Sequence, residues 1–245
     1  MDNQNQFNWK RFFLILLAFI AGGAVPIQFI TLSFGYAQYV EGFPKGPEMI
    51  KAAHSFAMPY IYYVYLPGLA ILLGIMFYSR RKYPNIFRRI VVGFGFGAIA
   101  TFALDAIRQI GVIYNFLPSD TPGLFGKIIT LGNSFSEIWP AGIAVHILNG
   151  ASFGLFYAFV WGKRNSYKNA VAWALFWAMI LETLMMIGPP MAPMVGSFGI
   201  NFSWPGLFLV TLVAHIFFGT TFGLLIQHFL REEDTGGFWK FLIKK

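Results

Sequence analysis

The stretch that decides the fold runs from Ile138 to Gly162 and reads IWPAGIAVHILNGASFGLFYAFVWG. It contains no Asp, Glu, Lys or Arg, and a helix of about 20 mostly apolar residues is long enough to cross the hydrocarbon core of a bilayer. The stretch therefore predicts a transmembrane helix. It also places one ionisable side chain, His146, inside that helix, where such a group is costly and indicates a functional site.

The composition points to a membrane protein. Of the 245 residues, 57% are hydrophobic and 11% are charged, whereas soluble domains carry about 25% charged residues. So few charges cannot cover a water-exposed surface, and the lipid bilayer is the expected surrounding. The formal net charge of +8 comes from basic residues at the ends of apolar runs, which is typical of topological anchors and not of nucleic-acid binding. The sequence contains no cysteine, which excludes disulfides, thiolate metal ligands and iron–sulfur clusters.

The hydropathy pattern predicts an all-α integral membrane protein with six transmembrane helices. Residues 1–230 are expected to form a single transmembrane domain, and 231–245 a cytoplasmic amphipathic tail in which aromatic and lysine side chains alternate. The six predicted spans cover residues 12–34, 57–78, 88–115, 138–162, 168–190 and 205–230.

The charge of the connections predicts the orientation of the helices. Basic residues stand at both ends of the chain and in alternate connections, as in Arg80-Arg81-Lys82 and Lys163-Arg164. The other three connections are neutral or faintly acidic. Because lysine and arginine are enriched on the cytoplasmic side, both termini are expected in the cytoplasm, with the protein in the cytoplasmic membrane of a prokaryote.

An internal repeat relates two parts of the chain. The segment HILNGASFGL at 146–155 recurs as HIFFGTTFGL at 215–224, with six of ten positions identical. Upstream, Leu104-Asp105 matches Leu181-Glu182. A segment that recurs in this way indicates a duplicated structural unit. Spans three and four and spans five and six are therefore predicted to be copies of one helical hairpin, with a carboxylate in the first helix and a histidine in the second.

The repeat is expected to bring four ionisable side chains to one depth in the outer half of the bilayer. Asp105 and Glu182 lie beyond the midplane of helices that run outward. His146 and His215 lie two to three turns inside helices that start at the outer face, at about 1.5 Å per residue. Three further residues are expected around these four: Arg108, one turn from Asp105; Asn149, one turn from His146; and Gln28, which holds the carboxylate position in spans one and two, a degraded third copy of the hairpin.

This set of residues favours a metal or haem site. Imidazoles and carboxylates together are suitable ligands for a transition metal such as Fe, Cu or Zn, which would take His146, His215, Asp105 and Glu182. Alternatively, His146 and His215 are the two axial ligands of a b-type haem. The sequence thus predicts a membrane protein of redox chemistry or metal handling, or the membrane subunit of an oxidoreductase complex with membrane or extracytoplasmic protein partners.

Two other functions fit the same residues. The first is a small proton-coupled transporter or channel, in which Asp105 and Glu182 carry protons and Arg108 contacts the solute or sets a gate; repeated hairpins with a site at their interface are typical of transporters. The second is a structural or assembly subunit, in which the polar layer only fixes the packing of the helices. The sequence leaves these alternatives open, and with them whether the protein is an enzyme.

Overall fold

The computed structural model describes residues 7–40, 46–189 and 191–242. Within these ranges the regular elements are all helical, with short 3₁₀ turns near residues 197–199, 232–234 and 238–241. The α-helices are α1 (Trp9–Ala18), α2 (Val25–Val40), α3 (Pro47–Tyr60), α4 (Leu66–Lys82), α5 (Pro84–Ile113), α6 (Thr121–Thr130), α7 (Phe135–Val160), α8 (Tyr167–Ile187), α9 (Met191–Val195) and α10 (Gly206–Phe229).

In the part of the chain that the structure describes, six continuous helical stretches are long and apolar enough to cross a membrane, which confirms the prediction of an all-helical protein with six membrane-length helices. α1 and α2 form one stretch and α3 and α4 another, each joined by a π-helical turn. The stretches cover Trp9–Tyr39, Pro47–Lys82, Pro84–Ile113, Phe135–Val160, Tyr167–Ile187 and Gly206–Phe229.

Prolines account for the two π-helical turns, Phe19–Ala24 and Ile61–Tyr65. Pro26 and Pro67 follow these turns by two residues, and proline has no N–H to donate to the carbonyl four residues before it. The helix widens where the regular bond is missing. At the first turn, the hydroxyl of Tyr60 donates to the carbonyl oxygen of Val25 at 2.9 Å, which ties the two stretches together.

Both ends of the described chain lie at one end of the bundle. The backbone N–H of Asn8 donates to the carbonyl of Leu242 at 2.7 Å, and the start of α5 contacts residues 234–236. We call this end the terminal face. The opposite end, the loop face, carries residues 114–120 and 196–205, together with the short helices α6 and α9.

Small residues set the close packing of the helix pairs α5–α7 and α8–α10. A Cβ atom added at Gly93 would lie 2.8 Å from the carbonyl oxygen of Gly154, so the two backbones are in contact there. In the second pair, a Cβ atom at Gly219 would lie 2.9 Å from the Cβ atom of Ala178. Such contacts between small residues are the usual basis of helix association in lipid.

The segment 231–242 folds onto the terminal face. Arg89, which is fully buried, donates to the carbonyl oxygens of Asp234 and Gly236 and, on the other side, to those of Ala158 and Phe159. Leu242 is buried against the bundle, whereas the indole of Trp239 is half exposed. The described part of the predicted amphipathic tail therefore packs on protein through one side. Its position on the cytoplasmic side of a membrane stays a prediction.

Candidate functional site

The first histidine–carboxylate pair joins α5 to α7. The Nε2 atom of His146 lies 2.8 Å from Oδ1 of Asp105. Nε of Arg108 donates to the same oxygen at 2.9 Å, because residues three apart share one face of a helix. The side chains of Asp105 and His146 are 24% and 12% exposed. This pair is therefore only partly closed off from its surroundings.

Arg108 extends this pair towards the loop face. Its Nη1 atom donates to Oδ1 of Asp120, which directly precedes α6, and Nε2 of Gln109 donates to the other Asp120 oxygen at 3.1 Å. A continuous chain of hydrogen bonds thus runs from Asp120 through Arg108 and Asp105 to His146. This hydrogen-bond chain contains two carboxylates and one guanidinium, so it carries one net negative charge unless a carboxylate or His146 binds a proton.

Sequence reasoning missed Asp120 and Gln109. Asp120 precedes Thr121-Pro122, the pattern of a helix N-cap followed by proline in the first turn, and it was expected to be part of a connecting loop. In the structure its side chain makes no capping hydrogen bond and contacts Arg108 instead. The available signal was an arginine in a predicted span with one carboxylate in reach, because a buried cation requires more than one acceptor.

The second histidine–carboxylate pair joins α8 to α10 and is more deeply buried than the first. Nδ1 of His215 lies 2.8 Å from Oε2 of Glu182 and donates to the carbonyl oxygen of Thr211 at 2.9 Å. The hydroxyl of Thr211 donates to the other Glu182 oxygen at 2.7 Å. The side chain of Glu182 is 3% exposed, and that of His215 is 10% exposed. Among the described residues no lysine or arginine forms an ion pair with Glu182, so His215 is the described residue that can balance its negative charge.

The structure thus groups the four predicted site residues as two pairs, each inside its own hairpin. Within residues 7–40, 46–189 and 191–242, no three His, Asp or Glu side chains are close enough together to hold a metal ion. A metal or b-type haem held by His146 and His215 stays a prediction. Each histidine makes its described hydrogen bonds through one ring nitrogen, Nε2 in His146 and Nδ1 in His215.

The supporting residues are placed differently from one another. Arg108 binds Asp105 as its spacing predicts. Asn149 is half buried one turn from His146, and its Oδ1 atom is buried without a hydrogen-bond partner among the described residues. The structure does not bring Gln28 to either pair, because Gln28 lies on the exposed face of α2 and none of the described hydrogen bonds involves it.

Towards the terminal face, the two helices of each hairpin are in close contact. One turn from the first pair towards the terminal face, a Cβ atom at Gly150 would overlap the hydroxyl of Thr101. One turn further, a Cβ atom at Gly97 would lie 2.9 Å from the Cα atom of Gly154. Below the second pair, a Cβ atom at Gly223 would lie 2.6 Å from that of Ala174. Gaps too narrow for a methyl group are also too narrow for water, so each pair of helices is sealed at these levels.

No protein-family model matches the chain, and neither a curated protein nor a solved structure is significantly similar to it.

Proposed function

We propose that this protein is a small proton-coupled membrane transporter, in which two histidine–carboxylate pairs take up and release protons. The observation that carries the proposal is the pairing itself: each hairpin contains one carboxylate and one histidine inside a membrane-length helix, and the two are within 2.8 Å of each other. Ionisable groups are rare inside the bilayer and typically belong to proton relays or substrate pathways.

The chemistry of such a pair suits proton transfer. A carboxylate beside an imidazolium and a carboxylic acid beside a neutral imidazole differ only in where one proton lies. Loss of that proton leaves the pair with a negative charge, and a further proton gives it a positive charge. In the second pair, Oε2 of Glu182 is buried and accepts no hydrogen bond from the described residues, which leaves it a place for a proton. Uptake and release therefore change the charge of the membrane interior without moving a helix.

The helix register supports a repeated hairpin as the basis of the fold. In α5–α7 the opposed positions are Asp105 and His146, Thr101 and Gly150, and Gly97 and Gly154, and in α8–α10 they are Glu182 and His215, Ala178 and Gly219, and Ala174 and Gly223. The carboxylate, the histidine and the small residues thus recur at the same steps in both pairs of helices. Some transporters are built from parallel repeats of this type, and their repeats are related by an axis along the membrane normal.

Access to the site supports transport rather than a packing role alone. The Asp120–Arg108–Asp105 chain leads from the loop face to His146, whereas small-residue contacts seal the helices towards the terminal face. We assign this arrangement to a state open towards the loop face, which the charge of the connections predicts to be outside the cell. Transport then requires a second state in which the small-residue contacts of α5–α7 separate.

Charge movement after a pH jump tests the proposal without knowledge of the solute. Proteoliposomes on a solid-supported membrane are switched from neutral to acidic buffer, and the current is recorded for the wild type and for Asp105→Asn and Glu182→Gln. We expect a transient current in the wild type that each variant reduces by about half, because an amide cannot bind the proton and each variant removes one of the two pairs. His228→Ala, at an exposed histidine outside both pairs, is the matched control and should keep the wild-type current. A wild type without charge movement contradicts the proposal.

A second candidate is metal handling, which one specific observation favours. Histidine ligands commonly direct one ring nitrogen to a carboxylate or carbonyl and the other to the metal, and both His146 and His215 use only one nitrogen in this way. Elemental analysis and an optical spectrum of the purified protein test this candidate. Near-stoichiometric Fe, Cu or Zn, or a haem Soret band, that is lost in the His146→Ala, His215→Ala double variant would support it, and a colourless, metal-free wild type would contradict it.

A further inference from the structure

A cavity of about 850 Å³ lies at the loop face, between the end of α2, the start of α3 and both ends of α6. Its volume falls in the range of about 300–1,000 Å³ that is typical of small-molecule sites. Apolar side chains form much of the wall, including Met49, Leu124 and Met194. A ligand that fills it must therefore have an apolar part.

Two hydrogen-bond donors in the lining of this cavity, the side chains of Gln38 and Lys127, have no partner among the described residues. Gln38 is 8% exposed, and its Nε2 atom is buried without a hydrogen-bond partner among the described residues. Lys127 also lines the cavity and forms no ion pair with another described residue, whereas Lys51 is bound to Glu48 at 3.1 Å. No Asp or Glu is among the described residues of the lining. A buried amide donor without a partner is costly and calls for an acceptor. Lys127, an exposed residue at the same cavity, adds a positive charge, so the two groups together favour an acceptor that carries negative charge.

We propose that this cavity binds a small organic anion, a carboxylate on an apolar body, and that this anion is the solute of the transporter proposed above; the second part rests on that proposed function. Ser119 lines the cavity, and the next residue, Asp120, holds Arg108. The cavity and the hydrogen-bond chain that leads to His146 therefore meet at one step of the backbone. A carboxylate here accepts a hydrogen bond from Lys127 and, once the side chain of Gln38 turns its amide into the cavity, a second one from Gln38. The apolar body of the ligand contacts the methionine and leucine side chains.

Direct binding to the full-length protein in detergent tests this assignment. Radiolabelled benzoate and hexanoate are the probes, measured by scintillation proximity with wild type, Gln38→Leu and Lys127→Gln. We expect saturable binding of at least one probe to the wild type, weakened about tenfold in each variant, since each removes one hydrogen bond to a charged group. Arg81→Gln, which removes an exposed basic residue at the terminal face, is the control and should bind like the wild type.

The proposal is overturned if neither carboxylate binds saturably, or if Gln38→Leu and Lys127→Gln leave the binding unchanged. Binding of short-chain phosphatidylglycerol without binding of either carboxylate would also overturn it and would identify the occupant as a lipid headgroup. The assay is independent of proton movement. Carboxylate binding in a protein without pH-jump current would leave this site standing and remove the transport proposal, and the reverse result would remove only this site.

Discussion

The contact between α5 and α7 below the first pair gives a quantitative prediction, tested by Gly97→Ala. The added Cβ atom would overlap the carbonyl oxygen of Gly150 and lie 2.9 Å from the Cα atom of Gly154. Both are backbone atoms, so no side chain can turn away and the helices must separate. Overpacking of a well-packed interface costs about 1–3 kcal/mol, and a contact of backbone with backbone belongs at the upper end of that range.

Gly95→Ala is the matched control, because it makes the same chemical change two residues away on the same helix. A Cβ atom at Gly95 meets no heavy atom within 4 Å, and alanine is favoured over glycine inside a helix by about 0.5–1 kcal/mol. The two variants should therefore differ in free energy of unfolding by at least about 1.5 kcal/mol. For a chain of this size each kcal/mol shifts Tm by about 2–4 °C.

Thermal unfolding of the detergent-purified variants, followed by tryptophan fluorescence, measures this difference. We expect Gly97→Ala to melt below the wild type and Gly95→Ala at or above it. Equal melting temperatures for the two variants would refute the close packing of α5 on α7, and with it the sealed state towards the terminal face.

Three further predictions concern other parts of the molecule. Arg89→Met leaves four carbonyl oxygens without their donor, whereas Asp234 keeps Arg88 as its cation. We expect a loss of about 3–5 kcal/mol in thermal or denaturant unfolding, since each buried polar group left unpaired costs about 1–3 kcal/mol; a Tm within 2 °C of the wild type, taken at about 2–4 °C per kcal/mol, would contradict this. Arg108→Gln removes the cation that lies between the carboxylates of Asp105 and Asp120. The variant should lose more Tm at neutral pH than at acidic pH, because protonation relieves the repulsion between the two carboxylates. A loss of Tm that does not depend on pH would show that the charge of Arg108 is immaterial. Because the sequence has no cysteine, Ser119→Cys should react with a membrane-impermeant thiol reagent added outside intact cells, and Asn165→Cys should not; the opposite pattern would invert the orientation.

The sequence was sufficient to predict the six membrane-length helices, because long apolar runs have few other stable structures. It also identified the residues of the two pairs, since the second copy of the repeat shows which ionisable residues recur. It did not predict that Asp105 pairs with His146 and Glu182 with His215 inside separate hairpins. That grouping depends on how closely the small residues let α5 approach α7, and α8 approach α10, which is a property of packing in three dimensions.

The sequence also did not predict the role of Asp120 or the position of Gln28. The role of Asp120 was hidden because its position before α6 is typical of an N-cap, and only the approach of Arg108 shows that its side chain is used elsewhere. Gln28 was placed at the site by analogy with the repeat. The π-helical turn Phe19–Ala24 precedes it and changes the rotation of the following helix, so Gln28 lies on the exposed face of α2.

The infrared difference spectrum of the reconstituted protein between neutral and acidic buffer shows directly whether the two pairs exchange protons. We expect a carbonyl band of a protonated, buried carboxylic acid on the acidic side, absent from Glu182→Gln and shifted in His215→Ala, because the imidazole is the partner of that acid. A difference spectrum that is the same in the wild type, Glu182→Gln and Asp105→Asn would show that neither pair exchanges protons, and would contradict the account.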